Sequence, residues 1–190
     1  MYAKRSKCRI GATVVKYLGH VISEKGVSED FKKTQAIVGW LVPKTLEALR
    51  GFSGLTRYYR KFIRRYSTLA APLIAHTKKQ AFHWSDEAKR AFETFKLALT
   101  SPPVLALPDF SIPFVIKCNA SSTRIGAMLM QRNHPVAYIS QELKDPDKHI
   151  SAYEREMLGI ILATRKQRQY LLAREFIIKT DHKPLKHLLE

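Results

Sequence analysis

The sequence predicts an α/β (α+β) chain in two modules: a small basic module of β-hairpin and helices, then a β-β-β-α-β-α module. Three observations predict it. Positive charge concentrates in the first half: residues 1–84 hold 17 Lys and Arg against 4 Asp and Glu, whereas residues 85–190 hold 16 against 12. The first half carries a long amphipathic run of helical period, and the second contains three short apolar β-like runs. A serine–glutamate capping signal then opens a long helix. At 190 residues there is room for one large domain or two small ones.

Composition narrows the function classes. The formal net charge of +17 suits a polyanion partner, most often nucleic acid. Cys8 and Cys118 are too few and too far apart for a disulfide framework or a cysteine-based zinc site, and they fit a reducing compartment. No apolar run approaches the roughly 20 residues of a membrane span. The opening MYAKRSKCRI lacks the apolar core of a secretory signal. The expected location is cytoplasmic or nuclear, without a membrane partner.

ATVVKYLGHVIS (12–23), with Gly19 inside it and turn residues after it, reads as a strand or hairpin. Asp30 caps a short helix over FKKTQAIVGW, separated by Pro43 from the next element. Residues 45–66 give the strongest helical signal, with Thr45 as N-cap. Leu46, Leu49, Phe52, Leu55, Tyr59, Phe62 and Ile63 form its apolar stripe, and Arg50, Arg57, Lys61 and Arg64 lie on another face. Gly51 and Gly54 weaken such a helix by about 1 kcal/mol each. Either they permit close approach of another backbone, or they mark a helix–helix contact or a break.

IAHTKKQAFHW (74–84) reads as a linker or loop. Ser85 caps a helix with Ala88, Phe92, Phe95 and Leu99 on one face, stopped by SPP. After a proline-punctuated connector come the β-like runs PFVIKCN (113–119), IGAMLMQ (125–131) and PVAYIS (135–140). Along the second run Met128 and Met130 alternate with neighbours as core and face residues. DPDKH reads as a loop, Ser151 and Glu154 as a capping box for a helix reaching YLL, EFIIKTD (175–181) as a fourth strand, and KPLKHLLE as the start of a helix.

This order brings polar groups together. Asn119 ends the first strand, Glu154 and Glu156 sit in the first turns of the long helix, and Asp181 closes the fourth strand. If first and fourth strands pair, a helix across the sheet lowers a glutamate between their ends. Three converging oxygens suit Mg²⁺, and two such ions serve phosphodiester hydrolysis. Each residue also has a plainer use: Glu154 in the capping box and Asp181 as N-cap of the next helix. His182 and His187 lack a third ligand and read as surface residues.

The chain resembles the polymerase polyprotein of gypsy-class long-terminal-repeat retrotransposons over essentially its whole length. KCRIG and VVKYLGHVISEKGVSED resemble the segment after the polymerase active site, and LRGFSGLTRYYRKFIRRYSTLAAPL the thumb helix region. FHWSDEAKRAFETFKLALTSPPVLALPDFSIPFVI resembles the connection. FVIKCNASSTRIGAMLMQ, HPVAYISQELK, ISAYEREMLGIILA and FIIKTDHKPLKHLL match the ribonuclease H-like block in order and spacing.

The resemblance implies a palm edge and thumb-like region over 1–84, a connection helix and linker over 85–112, and a C-terminally truncated ribonuclease H-like domain over 113–190. It places the family's first metal-binding carboxylate at Asn119, its helix glutamate at Glu156 and its strand-end aspartate at Asp181, a site that would take Mg²⁺ or Mn²⁺. A further carboxylate is expected beyond Glu190, and the polymerase's paired aspartates upstream of Met1. The amide of Asn119 offers a neutral oxygen where a carboxylate supplies charge and bridges two ions.

The resemblance also implies duplex contact by Arg50, Gly51, Gly54, Arg57, Arg60, Lys61, Arg64 and Arg65, the arginines on phosphate and the glycines at the minor groove. Expected partners are an RNA–DNA hybrid or duplex and the remainder of the polyprotein. Three readings follow: a nucleic-acid-binding fragment with an impaired hydrolytic site, an active Mg²⁺-dependent ribonuclease H, or a reading frame with no selected role.

Overall fold

Two turns made by glycine set the first sheet. The computed structural model describes residues 8, 10–17, 19–77, 84–100, 105–172 and 175–180. Strands β1 (Val14–Tyr17), β2 (His20–Ser23) and β3 (Gly26–Glu29) form an antiparallel meander in that order. Gly19 (φ 78°) and Gly26 (φ 125°) take backbone conformations open to few other residues, so the run turns twice and yields three strands.

Helix α1 (Phe31–Val38) begins at Asp30, whose carboxylate accepts the Lys32 N–H at 3.2 Å. Helix α2 (Leu46–Tyr58) begins at Thr45, whose hydroxyl accepts the Ala48 N–H. The helix expected to run to Tyr66 stops at Tyr58, and residues 59–65 fold into tight turns. Tyr59, Phe62 and Ile63, the end of the expected stripe, are buried from within these turns. The Lys61 carbonyl, released from the helical ladder, accepts the Tyr138 N–H at 3.1 Å. Arg65 takes φ 56° just before α3 (Tyr66–Thr77) begins. That helix claims residues 74–77 of the expected loop and accommodates Pro72 inside it.

Helix α4 (Asp86–Thr100) starts at Ser85, whose hydroxyl accepts the Ala88 N–H, and buries Ala88, Phe92, Phe95 and Leu99 as expected. Its rings meet Phe52 of α2 at centroid distances of 4.7 Å (Phe92) and 6.1 Å (Phe95), the centre of a first apolar cluster.

The second sheet has the order β6-β5-β4-β7, from β4 (Phe114–Ala120), β5 (Arg124–Gln131), β6 (His134–Glu142) and β7 (Phe176–Lys179). The first three pair antiparallel, and β7 returns parallel to β4 from Phe114↔Phe176 to Lys117↔Lys179. The crossover contains α5 (Asp145–Lys148), α6 (Ala152–Lys166) and α7 (Arg168–Leu171). Thus DPDK makes one helical turn rather than a loop, and the long helix breaks at Gln167, which is buried. Ser151 and Glu154 form the expected capping box.

Strand alternation sends Phe114, Ile116 and Cys118 into a second cluster with Ile125, Leu129, Ile160 and Ala163. The two clusters meet along β6: Tyr138 packs against the first, and the Ser67 N–H donates to Ser140 Oγ at 3.0 Å. The helix expected over KPLKHLLE lies outside the described residues.

Candidate nucleic-acid interface

Glu156 stands on the second turn of α6, facing the sheet. It is buried, and its Oε1 accepts the Ala120 N–H at 2.8 Å, at the end of β4. Its Oε2 is also buried and has no hydrogen-bond partner among the described residues. A buried carboxylate oxygen without a donor or cation is costly. Asn119 precedes Ala120 on the strand, but its side chain is exposed. Alternation turns it away from Cys118, which faces Gly159 of α6.

Asp181 and the two histidines after it lie outside the described residues, two positions past the last β4–β7 pair. Among the described residues no three His, Cys, Asp or Glu side chains cluster closely enough to hold a metal ion. Glu156 and the neutral Asn119 alone do not fit Mg²⁺, which seeks charged oxygen.

The basic residues form a clearer arrangement. Arg50, Gly51, Gly54 and Arg57 lie on the outer face of α2, opposite buried Leu49, Phe52 and Thr56, and all four are exposed. A Cβ on Gly51 or Gly54 would meet nothing within 4 Å, so neither glycine serves a helix–helix contact among the described residues. Arg60, Lys61, Arg64 and Arg65 follow, also exposed, in the turns that replace the expected helix. None of the three ion pairs among the described residues involves these cations. Partial burial lowers the Lys61 ammonium below the ordinary lysine range.

Beside this face opens a cavity of about 750 Å³. Arg64 and Arg65 line it from the turn, Lys117 and Asn119 from β4, Arg124 from β5 and Lys179 from β7. No carboxylate is among the described residues that line it. Arg124 Nε is buried, with no hydrogen-bond partner among the described residues. Sequence reasoning missed Lys117, Arg124 and Lys179. Lys117 had a signal, two positions before Asn119 on one strand face; Arg124 and Lys179 needed the strand pairing.

Residues 84–178 match the family model of the RNase H-like domain found in reverse transcriptase. The chain is 39% identical over 184 residues to the retrovirus-related Pol polyprotein from transposon 297 of Drosophila melanogaster, covering 96% of this chain and 17% of that polyprotein. It is 34% identical over 199 residues to the Pol polyprotein from transposon gypsy of the same organism, covering 97% of this chain and 19% of the polyprotein. An uncharacterized mitochondrial protein of Arabidopsis thaliana is 48% identical over 118 residues, 61% of this chain and 75% of that protein.

Among solved structures, the foamy viral protease-reverse transcriptase in complex with RNA/DNA hybrid superposes with a TM-score of 0.81 at 22% identity, over 92% of this chain and 25% of that one. This likeness is one of fold. Among the described residues no helix is long and apolar enough to cross a membrane.

Proposed function

The chain belongs to the family of ribonuclease H-like domains found in reverse transcriptase, and from that premise we propose that it is a nucleic-acid-binding portion of a gypsy-class retrotransposon polyprotein. Residues 1–84 would be palm edge and thumb, 85–112 connection, and 113–190 ribonuclease H-like domain. Its ligand is an RNA–DNA hybrid or duplex. The observation that carries this reading is the exposed row of cations from Arg50 to Arg65, in no ion pair among the described residues, with open glycines between them. Arginines there reach phosphate, and Gly51 and Gly54 let the helix backbone approach a groove. Phosphate contacts position a protein without reading sequence, so binding is weakly sequence-specific.

Hydrolysis is impaired in this reading, because Asn119 supplies no charge where the family places a carboxylate. A second reading, Mg²⁺-dependent cleavage of RNA in the hybrid, is favoured by one observation, the buried and unpartnered Oε2 of Glu156. One experiment separates them: binding and cleavage of a labelled hybrid in Mg²⁺ or Mn²⁺, at two salt concentrations, for the native chain, Asn119→Asp and Arg57→Gln. Salt-sensitive binding without cleavage supports the first reading, with Arg57→Gln reducing the magnitude of the salt slope by about one unit. Native cleavage lost on Glu156→Gln supports the second. Salt-insensitive binding, or none, overturns the duplex face.

A further inference from the structure

A second cavity, of about 700 Å³, lies where the two clusters meet, lined from the turn by Arg60 and Lys61. Its volume falls within the roughly 300–1,000 Å³ of sites that take small ligands. Two kinds of side chain in its lining, which also holds apolar and amide groups, bear on what it could bind. Tyr17, Tyr58, Tyr138 and Tyr170 supply rings, while Arg60, Lys61 and Lys166 supply positive charge. No carboxylate is among the described residues that line it.

Two of the rings are presented outward, whereas Tyr138 and Tyr170 are half-buried against the clusters. Tyr17 is 62% exposed and Tyr58 47%, unusual for rings of this size beside two well-filled cores. Tyr58 lies parallel to His20, with an interplanar angle of 4° and centroids 5.4 Å apart, which holds its ring in one plane. The cations crowd one another: burial and then the charge of Arg60 lower the Lys166 ammonium below the usual lysine range. Such a cluster of like charge is relieved by an anion.

A ligand for this cavity therefore needs a flat π face and a negative charge in one small unit. An acidic peptide would meet the cations and leave the rings idle. A duplex offers phosphate but hides its base faces in the stack. Unpaired bases stack on aromatic side chains, with cationic grooves tracking the backbone beside them.

We propose that this cavity holds an unpaired nucleotide of a single-stranded nucleic acid, its base on the tyrosines and its phosphate at Arg60, Lys61 and Lys166. The site adjoins the duplex face through Arg60 and Lys61, but Tyr58 and Lys166 are not part of that face. The strand that enters it is the single-stranded extension of a duplex seated on Arg50–Arg65, or a free strand.

The test is fluorescence anisotropy with labelled oligo(dT) and, separately, a blunt RNA–DNA hybrid, on the full chain. Tyr58→Ala and Lys166→Gln each weaken oligo(dT) binding by about tenfold, the scale of one lost base stack or phosphate contact. Both leave blunt-hybrid binding unchanged, and Tyr58→Phe preserves affinity for both. Arg50→Gln does the reverse, weakening the hybrid alone. A 5-iodouridine oligonucleotide crosslinks to peptides containing Tyr17, Tyr58 or Tyr170.

Oligo(dT) affinity indifferent to both Tyr58→Ala and Lys166→Gln would overturn the proposal. So would parallel loss of hybrid and oligonucleotide, or displacement of oligo(dT) by inorganic phosphate as effectively as by AMP. If the native chain binds oligo(dT) but not the blunt hybrid, the duplex face fails and this site stands.

Discussion

Gly159 sits where α6 crosses β4, and its missing side chain sets how closely they pack. A Cβ there would lie 3.0 Å from Cys118 Sγ and 3.4 Å from Ile125 Cγ2. Alanine gains about 1 kcal/mol of helix propensity over glycine, but overpacking a filled core costs about 1–3 kcal/mol. Overpacking wins, so Gly159→Ala should lower stability by about 1 kcal/mol in urea unfolding. Adding Cys118→Ala should return more than additivity allows, as contacting residues do in a double-mutant cycle. A stabilising Gly159→Ala would show that the thiol yields.

The same thiol has a pH consequence. Burial, and then the charge of Glu156, push Cys118 up to about 12. Its folded value lies above that of an unfolded thiol, near 8.5. The stabilisation is therefore complete below about pH 8.5 and lost as pH rises from there towards 12. At pH 8 iodoacetamide should label exposed Cys8 and spare Cys118 until denaturant is added, as read by mass spectrometry. The capping role of Glu154 was legible, because a capping box uses the third helical position and leaves the fifth, Glu156, free to face the sheet. The direction of Asn119 was not, because alternation gives two faces without saying which one a helix will cover.

At the scale of elements, α2 keeps two glycines that its own stability argues against. Gly51→Ala and Gly54→Ala should each raise stability by about 1 kcal/mol, since open space surrounds both positions. The same substitutions should weaken hybrid binding if the helix backbone approaches a groove, so thermal melts and anisotropy should move in opposite directions. Affinity unchanged by both alanines would remove the glycines from the interface. The start of this helix was legible from Thr45 and its apolar stripe. Its end was not: RYYRKFIRRY has no glycine or proline, and past Tyr58 the Lys61 carbonyl takes a partner on a strand seventy-seven positions away in place of a helical one. Pro72 is the opposite case, a local stop signal that α3 overrides.

Across the molecule, the two clusters share β6 as a common wall. Trp40 and Trp84 both pack against the first cluster, whereas α6 and the four-stranded sheet belong to the second. Tryptophan fluorescence therefore follows one cluster and far-UV circular dichroism both. With Tyr138, Ser140 and Lys61 joining them, the two probes should report one coincident urea transition. Ser140→Ala removes the acceptor for the Ser67 N–H, a loss of about 1 kcal/mol, and should begin to separate the curves. Separate transitions in the native chain would show that the wall does not couple the halves. The broad two-part layout was legible in charge and periodicity; the wall was not, because it rests on contacts between residues more than seventy positions apart.

The bond between the Lys61 carbonyl and Tyr138 has a thermodynamic meaning for recognition. A free helix end would let its arginines wander, and a ligand would have to order them. Here the turn is fastened to a strand, so the backbone that carries the charges at 60–65 is anchored before any polyanion arrives. For the proposed duplex face, association then costs less ordering of the backbone.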